Sequence, residues 1–119
     1  MKSKRLPSLL PRLRIMSHRN IAFGPGKADL LALVAETGHI GEAAKRMDMS
    51  YMRAWSLIQT MNACFQKPLI VTARGGQRHG SAELTETGKR VLALYRKMEK
   101  AALKAAQRDW RPLQKLLRD

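Results

Sequence analysis

The sequence predicts a mainly α-helical domain that carries a small β-hairpin and continues into a long C-terminal helix. Three observations lead to this fold class. Apolar residues recur every three or four positions through residues 40–65, as on one face of each of two helices. After a proline, residues 69–84 change to two short extended runs around a glycine-rich loop. Residues 91–105 then return to helical spacing, with an apolar seam that repeats every seven residues.

Residues 40–65 divide into two short helices separated by a tight turn. Ala43 and Ala44 are apolar at helical spacing, and Ala44 is small enough for the two helices to cross closely. Asp48 occupies the turn, where glycine is common because the backbone often has positive φ, and aspartate tolerates that conformation better than most residues. Ser50 is placed to cap the second helix through its hydroxyl group. The pattern is typical of a helix-turn-helix.

The second of these helices has two distinct faces. The face expected to be buried contains Tyr51, Ala54, Trp55, Ile58, Met61 and Phe65. The opposite face contains Met52, Arg53, Ser56, Gln59 and Thr60. A helix that is apolar behind and carries short polar side chains in front fits the major groove of DNA. The same apolar stripe would also occur in an ordinary helical bundle, so this stretch leaves both interpretations open.

The overall charge favours a polyanionic partner. Among 119 residues, 23 are lysine or arginine and 9 are aspartate or glutamate, so the formal net charge is +14. Nucleic acid is the commonest partner of such a basic domain. An acidic membrane is the alternative, but no helix combines a bulky apolar face with a basic rim, and no apolar run could span a bilayer. The length fits one domain, and the single cysteine, Cys64, is consistent with the reducing cytoplasm.

The N-terminal part of the chain supplies a basic arm and two supporting elements. Residues 1–11 are expected to form a flexible basic arm, because prolines and cations interrupt the apolar run that a signal peptide needs. Residues 12–16 alternate polar and apolar side chains, which predicts a short strand. Residues 23–36 predict a helix that supports the other two and ends at Gly38.

Two short strands with a basic loop between them are predicted after Phe65. Pro68 prevents the helix from continuing, and residues 69–72 and 81–84 are predicted to form strands. The glycines of the loop allow close approach to a phosphate backbone and its cations supply charge; the tip consists of Arg74, Gly75, Gly76, Gln77, Arg78 and His79. A hairpin in this position is the wing of a winged helix-turn-helix. The loop does not match a nucleotide-binding loop, because the expected lysine and helix do not follow it.

Thr85 is predicted to cap a long helix over residues 86–108. The residues expected to face a second copy of the chain are Val91, Leu94, Tyr95, Met98, Ala101, Ala102 and Ala105. At 1.5 Å per residue this helix would be roughly 34 Å long, more than a domain this small needs for its own core. We therefore expect a homodimer, with a helix that folds back on its own domain as the alternative. The predicted organisation is a basic arm (1–11), a winged helix-turn-helix domain (12–84), and the long helix with its tail (85–119), including a short helical turn around Pro112.

Four motifs are specific enough to indicate a family: GPGK at 24–27, SYMRAW at 50–55, MN at 61–62, and RGG at 74–76 followed by LTETG at 84–88. Over residues 12–102 the chain resembles the N-terminal DNA-binding domain of molybdate-responsive ModE-type regulators and is similar, more distantly, to LysR-type regulators. The resemblance implies a dimeric bacterial regulator of transcription whose recognition helix uses Ser50, Tyr51, Arg53 and Ser56 and whose wing is residues 74–80. ModE-type regulators bind molybdate through C-terminal modules, and about a dozen residues follow the predicted helix here. We therefore do not expect this chain to bind molybdate.

These features lead to the hypothesis of a homodimer that binds specific double-stranded DNA sequences. Arg53 would contact a guanine edge, the polar side chains beside it would contact bases or phosphates, and Lys45, Arg74 and Arg78 would hold the backbone. The alternatives are a winged-helix module for a protein or RNA partner and a non-specific DNA-binding protein. An enzyme is the weakest interpretation, because paired carboxylates, an activated nucleophile and metal-ligand spacing are absent from the sequence. We expect no cofactor.

Overall fold

The computed structural model describes residues 6–18, 20–73 and 81–118. Within these residues the chain forms, in order, a short hairpin, three helices, a second hairpin and a long helix. The elements are β1 (Ile15–Ser17), β2 (Asn20–Phe23), α1 (Pro25–Thr37), α2 (Ile40–Arg46), α3 (Tyr51–Cys64), β3 (Ile70–Thr72), β4 (Ala82–Leu84) and α4 (Glu86–Gln114). The predicted fold class, mainly helical with a small hairpin and a long C-terminal helix, is confirmed.

The N-terminal hairpin contains one strand, β2, that the sequence pattern does not predict. β1 and β2 are antiparallel, with Ile15 opposite Phe23 and an irregular register after Ile15. The strand predicted over residues 12–16 therefore begins later, and β2 was not predicted at all. Residues 21–23 form an apolar run without alternation, because Ala22 and Phe23 are both buried. Such a run does not show the period of a half-buried strand.

Three local signals fix the connections among the first three helices. Gly38 follows α1 with φ of 76°, and its N–H donates to the Val34 carbonyl at 2.8 Å, as predicted for a C-terminal glycine. Asp48 has φ of 55°, so it adopts the left-handed conformation anticipated for the turn. The Ser50 Oγ accepts a hydrogen bond from the Arg53 N–H at 3.1 Å, which confirms the predicted cap of α3.

The second hairpin confirms the two strands predicted after the helix-turn-helix. β3 and β4 are antiparallel, with Ile70 opposite Leu84 and Thr72 opposite Ala82. The tip predicted at residues 74–80 lies outside the described residues. What the structure defines is therefore the base of the hairpin.

The base of this hairpin is attached to the junction between α1 and α2. The Ala82 N–H donates to the Gly38 carbonyl at 2.8 Å, and His39 forms an isolated antiparallel bridge with Ser81. These backbone contacts lie directly after the left-handed turn that ends α1. The direction of the hairpin is therefore set by the same residues that start α2.

Asn62, near the end of α3, connects that helix to β3. Its side-chain oxygen accepts from the Leu69 N–H at 2.8 Å and from the Ile70 N–H at 3.3 Å. Its amide nitrogen donates to the Ile70 carbonyl at 3.1 Å. One side chain thus supplies three hydrogen bonds to the start of the hairpin and holds it against the C-terminal end of α3.

Replacing Asn62 with alanine is expected to lower the free energy of unfolding by about 1–3 kcal/mol, because partly buried backbone groups of β3 lose their partners. Urea denaturation followed by circular dichroism measures the change. The control is Gln66→Ala at an exposed neighbouring position, where a change within about 0.5 kcal/mol is expected. Equal effects of the two substitutions would contradict the assigned role of Asn62.

α4 is longer than predicted. The Thr85 Oγ accepts from the Gly88 N–H at 3.0 Å, which confirms the predicted cap. The helix has 29 residues and ends at Gln114, so it is about 43 Å long. Pro112 lies in the last turn, where it removes one hydrogen bond to the carbonyl four residues earlier, and the helix ends two residues after it. The helical turn predicted around Pro112 is therefore the end of α4 itself.

Tyr95 joins α4 to the core of its own domain. Its side chain is 1% exposed and its hydroxyl donates to the Leu13 carbonyl at 2.6 Å. Its ring packs edge-on against Phe23, with centroids 5.0 Å apart, and Phe23 in turn packs edge-on against Phe65. We expected Tyr95 to face a second copy of the chain, and that prediction is wrong because this side of α4 packs on the domain. The other large buried side chains are Leu30, Leu31, Val34, Ile40, Ile58, Met61 and Leu69.

Arg96 fixes the rotation of α4 against α1. Its guanidinium donates to Asp29 on α1 at 2.8 Å and to Glu99 on α4 at 2.9 Å. Hydrogen bonds to Asp29 first, and then to Glu99, raise the pKa of Arg96 above its ordinary value. The side of α4 that carries Tyr95 and Arg96 therefore faces the domain.

Candidate nucleic-acid interface

α3 exposes one polar face and packs the other face into the core. Ala54, Ile58 and Met61 are buried. The residues predicted for the opposite face are all exposed: Met52, Arg53, Ser56, Gln59 and Thr60. With 14 residues, α3 is about 21 Å long, and the diameter of a helix, about 10–12 Å, fits a major groove about 12 Å wide. The structure thus brings the five predicted residues onto one open surface.

Tyr51 and Trp55 lie on this open surface rather than in the core. Their side chains are 47% and 41% exposed, although the predicted apolar stripe included both of them. The stripe is wider than the area that α1 and α2 cover, so its edge remains in solvent. The Tyr51 ring lies beside Gly41 of α2 and stays in the candidate set. Trp55 is a further candidate contact residue, which its place in the apolar stripe does not distinguish from a core residue.

Hydrogen bonds within α3 show which polar groups are available. The Thr60 hydroxyl donates back to the Ser56 carbonyl at 3.1 Å, so its proton is engaged within the helix. Arg53 uses its backbone N–H in the Ser50 cap, which leaves the planar guanidinium with its five donors for external contacts. Gln59 lies six residues later, about 9 Å along the axis, and its amide can both donate and accept. Arg53 and Gln59 are therefore the groups best suited to contact base edges.

Two cations at the end of α2 have different environments. Arg46 donates to Glu36 of α1 at 2.9 Å, which holds its guanidinium on that helix. Lys45 is exposed and precedes the turn residue Asp48 by three positions. The predicted phosphate contact of Lys45 is therefore compatible with its place near the start of α3.

The predicted wing contacts lie outside the described residues; they are Arg74, Gly75, Gly76, Gln77, Arg78 and His79. On either side of them, the Ala73 N–H donates to the Ser81 carbonyl at 3.1 Å. The hairpin base is therefore closed where this segment begins and ends. The roles of the tip residues stay predictions.

Comparison with protein families identifies the region that carries these elements. Residues 27–89, which are 63 of the 119, match the bacterial regulatory helix-turn-helix proteins of the lysR family. This chain belongs to the LysR family. The match begins in α1 and ends in the first turns of α4, so it contains α2, α3 and the second hairpin.

Individual relatives of this LysR-family chain include ModE proteins and a protein solved with its target DNA. It is 36% identical over 90 residues to "Molybdenum transport protein ModE" of Azotobacter vinelandii, covering 76% of this chain and 33% of that protein. It is 34% identical over 96 residues to "Transcriptional regulator ModE" of Yersinia pestis, covering 78% and 36%. The crystal structure of full-length CbnR with its target DNA superposes with a TM-score of 0.55 and 26% identity, covering 69% and 27%. This chain spans about a third of the length of the ModE proteins it matches.

The LysR-family match stops near the start of α4, and the following turns carry an exposed apolar strip. Of the residues predicted for dimerisation, Tyr95 lies in the core, and Val91 and Ala102 are half-buried. Leu94 and Met98 are 48% and 46% exposed. The exposed residues of the predicted set, called the α4 strip below, are Leu94, Met98, Ala101 and Ala105.

Within residues 6–18, 20–73 and 81–118, no three His, Cys, Asp or Glu side chains lie close enough together to hold a metal ion. In the same part of the chain, no helix is both long and apolar enough to cross a membrane.

Proposed function

We propose that this LysR-family chain is a non-enzymatic regulator of transcription that binds specific double-stranded DNA sequences as a homodimer. The observation that carries the proposal is the open polar face of α3 above a buried apolar face. The relatives support it, because one is named a transcriptional regulator and another was solved with its target DNA. The net charge of +14 provides attraction to phosphates along the whole duplex. Such a protein works at the nucleoid in the bacterial cytoplasm.

In the proposed complex, α3 lies in the major groove and contacts base edges. The guanidinium of Arg53 forms two hydrogen bonds with the O6 and N7 atoms of a guanine. The amide of Gln59 can pair with the N6 and N7 atoms of an adenine, and Ser56 is short enough to keep the helix close to the bases. Tyr51 and Trp55 add exposed apolar surface for contacts such as a thymine methyl group.

Contacts to the phosphate backbone hold the domain in register. Lys45 lies at the end of α2 and Ser50 caps α3, so both are near the N-terminal end of α3. Arg74 and Arg78 of the predicted wing are proposed to contact the adjacent backbone. Such contacts fix position and orientation but carry no direct sequence information.

The α4 strip supports the dimer part of the proposal. Exposed leucine and methionine side chains in a helical row lose contact with water when two copies pack together. A two-fold dimer presents two copies of α3, which suit a palindromic site with half-sites about one helical turn apart.

A second candidate function, binding of a protein partner, rests on the aromatic side of α3. Tyr51, Met52 and Trp55 are exposed together near the start of the helix, and Met52 is 66% exposed. Aromatic residues and methionine are enriched at protein interfaces. This candidate predicts binding that does not depend on Arg53 or Gln59.

The experiment that tests the proposal selects bound fragments from random and genomic duplex DNA at two salt concentrations and sequences them. Enrichment of a palindrome with two half-sites is the expected result. Binding that is lost at the higher salt concentration and enriches no sequence would overturn the proposed specificity.

Arg53→Ala is expected to reduce discrimination at one base pair of each half-site by about 1–3 kcal/mol, because a bidentate contact is lost. Lys45→Ala is the matched control. It should weaken binding to all sequences alike and lower the slope of log affinity against log salt concentration by about one unit. Fluorescence anisotropy with the selected site and its single-base variants measures both. An Arg53→Ala protein with unchanged preference among the variants would contradict the assigned role.

A further inference from the structure

Six exposed cations form a continuous row along α4. The row, called the α4 ridge below, consists of Lys97, Lys100, Lys104, Arg108, Arg111 and Lys115. Successive members are three or four positions apart, so they share one side of the helix. From first to last the ridge is about 27 Å long.

The ridge carries a single sign of charge. Each member has another member three or four positions away, and like charges at that spacing destabilise a helix. A helix that only needs solubility usually alternates the two signs. Within the described residues, the ion pairs of α4 involve Lys89 and Arg96, and none of them involves a ridge residue. The ridge therefore costs helix stability in the free protein, and a polyanion bound along it would remove that cost.

The contacts of α4 show that the ridge points away from the domain. Gly88 lies against the Leu69 backbone, Tyr95 is buried beside Phe23, and Arg96 is bonded to Asp29. These contacts define the inner side of the helix. At 100° per residue the ridge lies roughly opposite them, next to the α4 strip but not on it. A partner on the ridge would therefore not contact the side of α4 that packs on the core.

We propose that the α4 ridge binds the phosphate backbone of a second DNA duplex while α3 holds the first, so that the protein bridges two segments of DNA. The proposal rests on the proposed function only for the first duplex. A straight row of cations about 27 Å long spans about eight base-pair steps at 3.4 Å each, so it can meet the phosphates of both strands where they cross one side of a duplex. The ridge lies on the side of α4 that faces away from the domain carrying α3, so it is open to a second duplex.

The shape of the ridge favours DNA over other anionic partners. A helix that lies on a membrane buries its apolar face and places cations at the rim of that face. The ridge flanks only the α4 strip, which has two large side chains and two alanines and is the proposed dimer contact, so no bulky apolar face is left for lipid beside it. A small anion such as a single phosphate occupies one or two cations and leaves the others without a partner.

A two-duplex capture assay tests the proposal. One duplex, carrying the site selected above or a random sequence, is immobilised, the full-length protein is added, and capture of a second fluorescent duplex is measured. The test variant is Lys100→Gln/Lys104→Gln/Arg108→Gln, since glutamine keeps helix propensity. Arg12→Gln/Arg14→Gln/Lys67→Gln removes the same charge from other exposed positions. Circular dichroism checks that all proteins fold.

The expected result is that the ridge variant loses capture of the second duplex by on the order of tenfold or more, with binding of the first duplex nearly unchanged. The control variant should retain capture. Equal loss of capture in both variants would show that net charge alone causes the effect. Full capture by the ridge variant would show that the two α3 helices of a dimer bridge the duplexes. Either outcome overturns the proposal. Ridge-dependent binding of phosphatidylglycerol vesicles without second-duplex capture would also overturn it, in favour of a membrane. If the wild-type protein binds one duplex specifically but captures no second one, this inference fails and the proposed function stands.

Discussion

Gly88→Ala is expected to destabilise the domain by about 3 kcal/mol or more, enough to leave much of the protein unfolded at 37 °C. A methyl group on Gly88 would overlap the Leu69 carbonyl oxygen and lie 3.0 Å from its carbon. That carbonyl cannot move freely, because it accepts from the Thr85 N–H at 2.9 Å. The clash is therefore between two backbones, and no side-chain rotation relieves it. Thermal and urea unfolding measure the loss.

Gly26→Ala is the matched control for this prediction. Gly26 lies in the first turn of α1, and a methyl group there would meet nothing within 4 Å. Because alanine favours the helix, a gain of about 0.5–1 kcal/mol is expected. Similar stabilities of the two alanine variants would contradict the close contact between Gly88 and the Leu69 backbone.

Tyr95→Ala is expected to lower the free energy of unfolding by about 3–5 kcal/mol, as for other large aromatic truncations in a core. The substitution removes the edge-on contact with Phe23 and leaves the Leu13 carbonyl without its donor. Leu94→Ala, one residue earlier and 48% exposed, should change the stability of the monomer little but weaken dimerisation. Unfolding at low protein concentration and analytical ultracentrifugation separate the two effects. A large loss of monomer stability in Leu94→Ala would contradict the assignment of the two sides of α4.

The Tyr95 phenol also predicts a pH dependence. Burial, followed by the nearby charge of Glu99, raises the pKa of Tyr95 above its ordinary value of 10.0. The folded state therefore holds this proton more tightly than the unfolded state does. Its contribution is complete below about pH 10 and is lost as the pH rises above that value. Tyr95→Phe should lose less stability between pH 9 and 11 than the wild-type protein loses, as measured by urea denaturation at each pH.

The helix-turn-helix could be predicted because its signals are local. The φ of Gly38 and Asp48 and the Ser50 cap depend on side chains within a few positions of one another. The strand β2 could not be predicted, because its buried side chains reflect packing of distant parts of the chain. Tyr95 illustrates the same limit: its partner Leu13 is 82 residues away, so the heptad pattern could not show which side of α4 faces the domain.

The sequence predicts the polar residues of the candidate interface better than the aromatic residue at its boundary. Arg53 and Gln59 follow from the spacing of the buried residues Ala54 and Ile58. Trp55 did not, because the extent of the buried stripe depends on how much area the neighbouring helices cover. Apolar character alone does not separate a core residue from an exposed aromatic contact.

The three hydrogen bonds of Asn62 and the bond from Ala82 to Gly38 have a consequence for how the protein selects DNA. They make α3 and the hairpin base one rigid body with a fixed separation. In the proposed complex, α3 contacts the floor of the major groove and the hairpin contacts the neighbouring backbone. The distance between these two parts of the DNA must therefore match the fixed separation of the two protein elements. A duplex with a different groove width has to deform to fit, at a cost that depends on its own sequence. Base pairs that no side chain touches would thereby influence affinity through their stiffness.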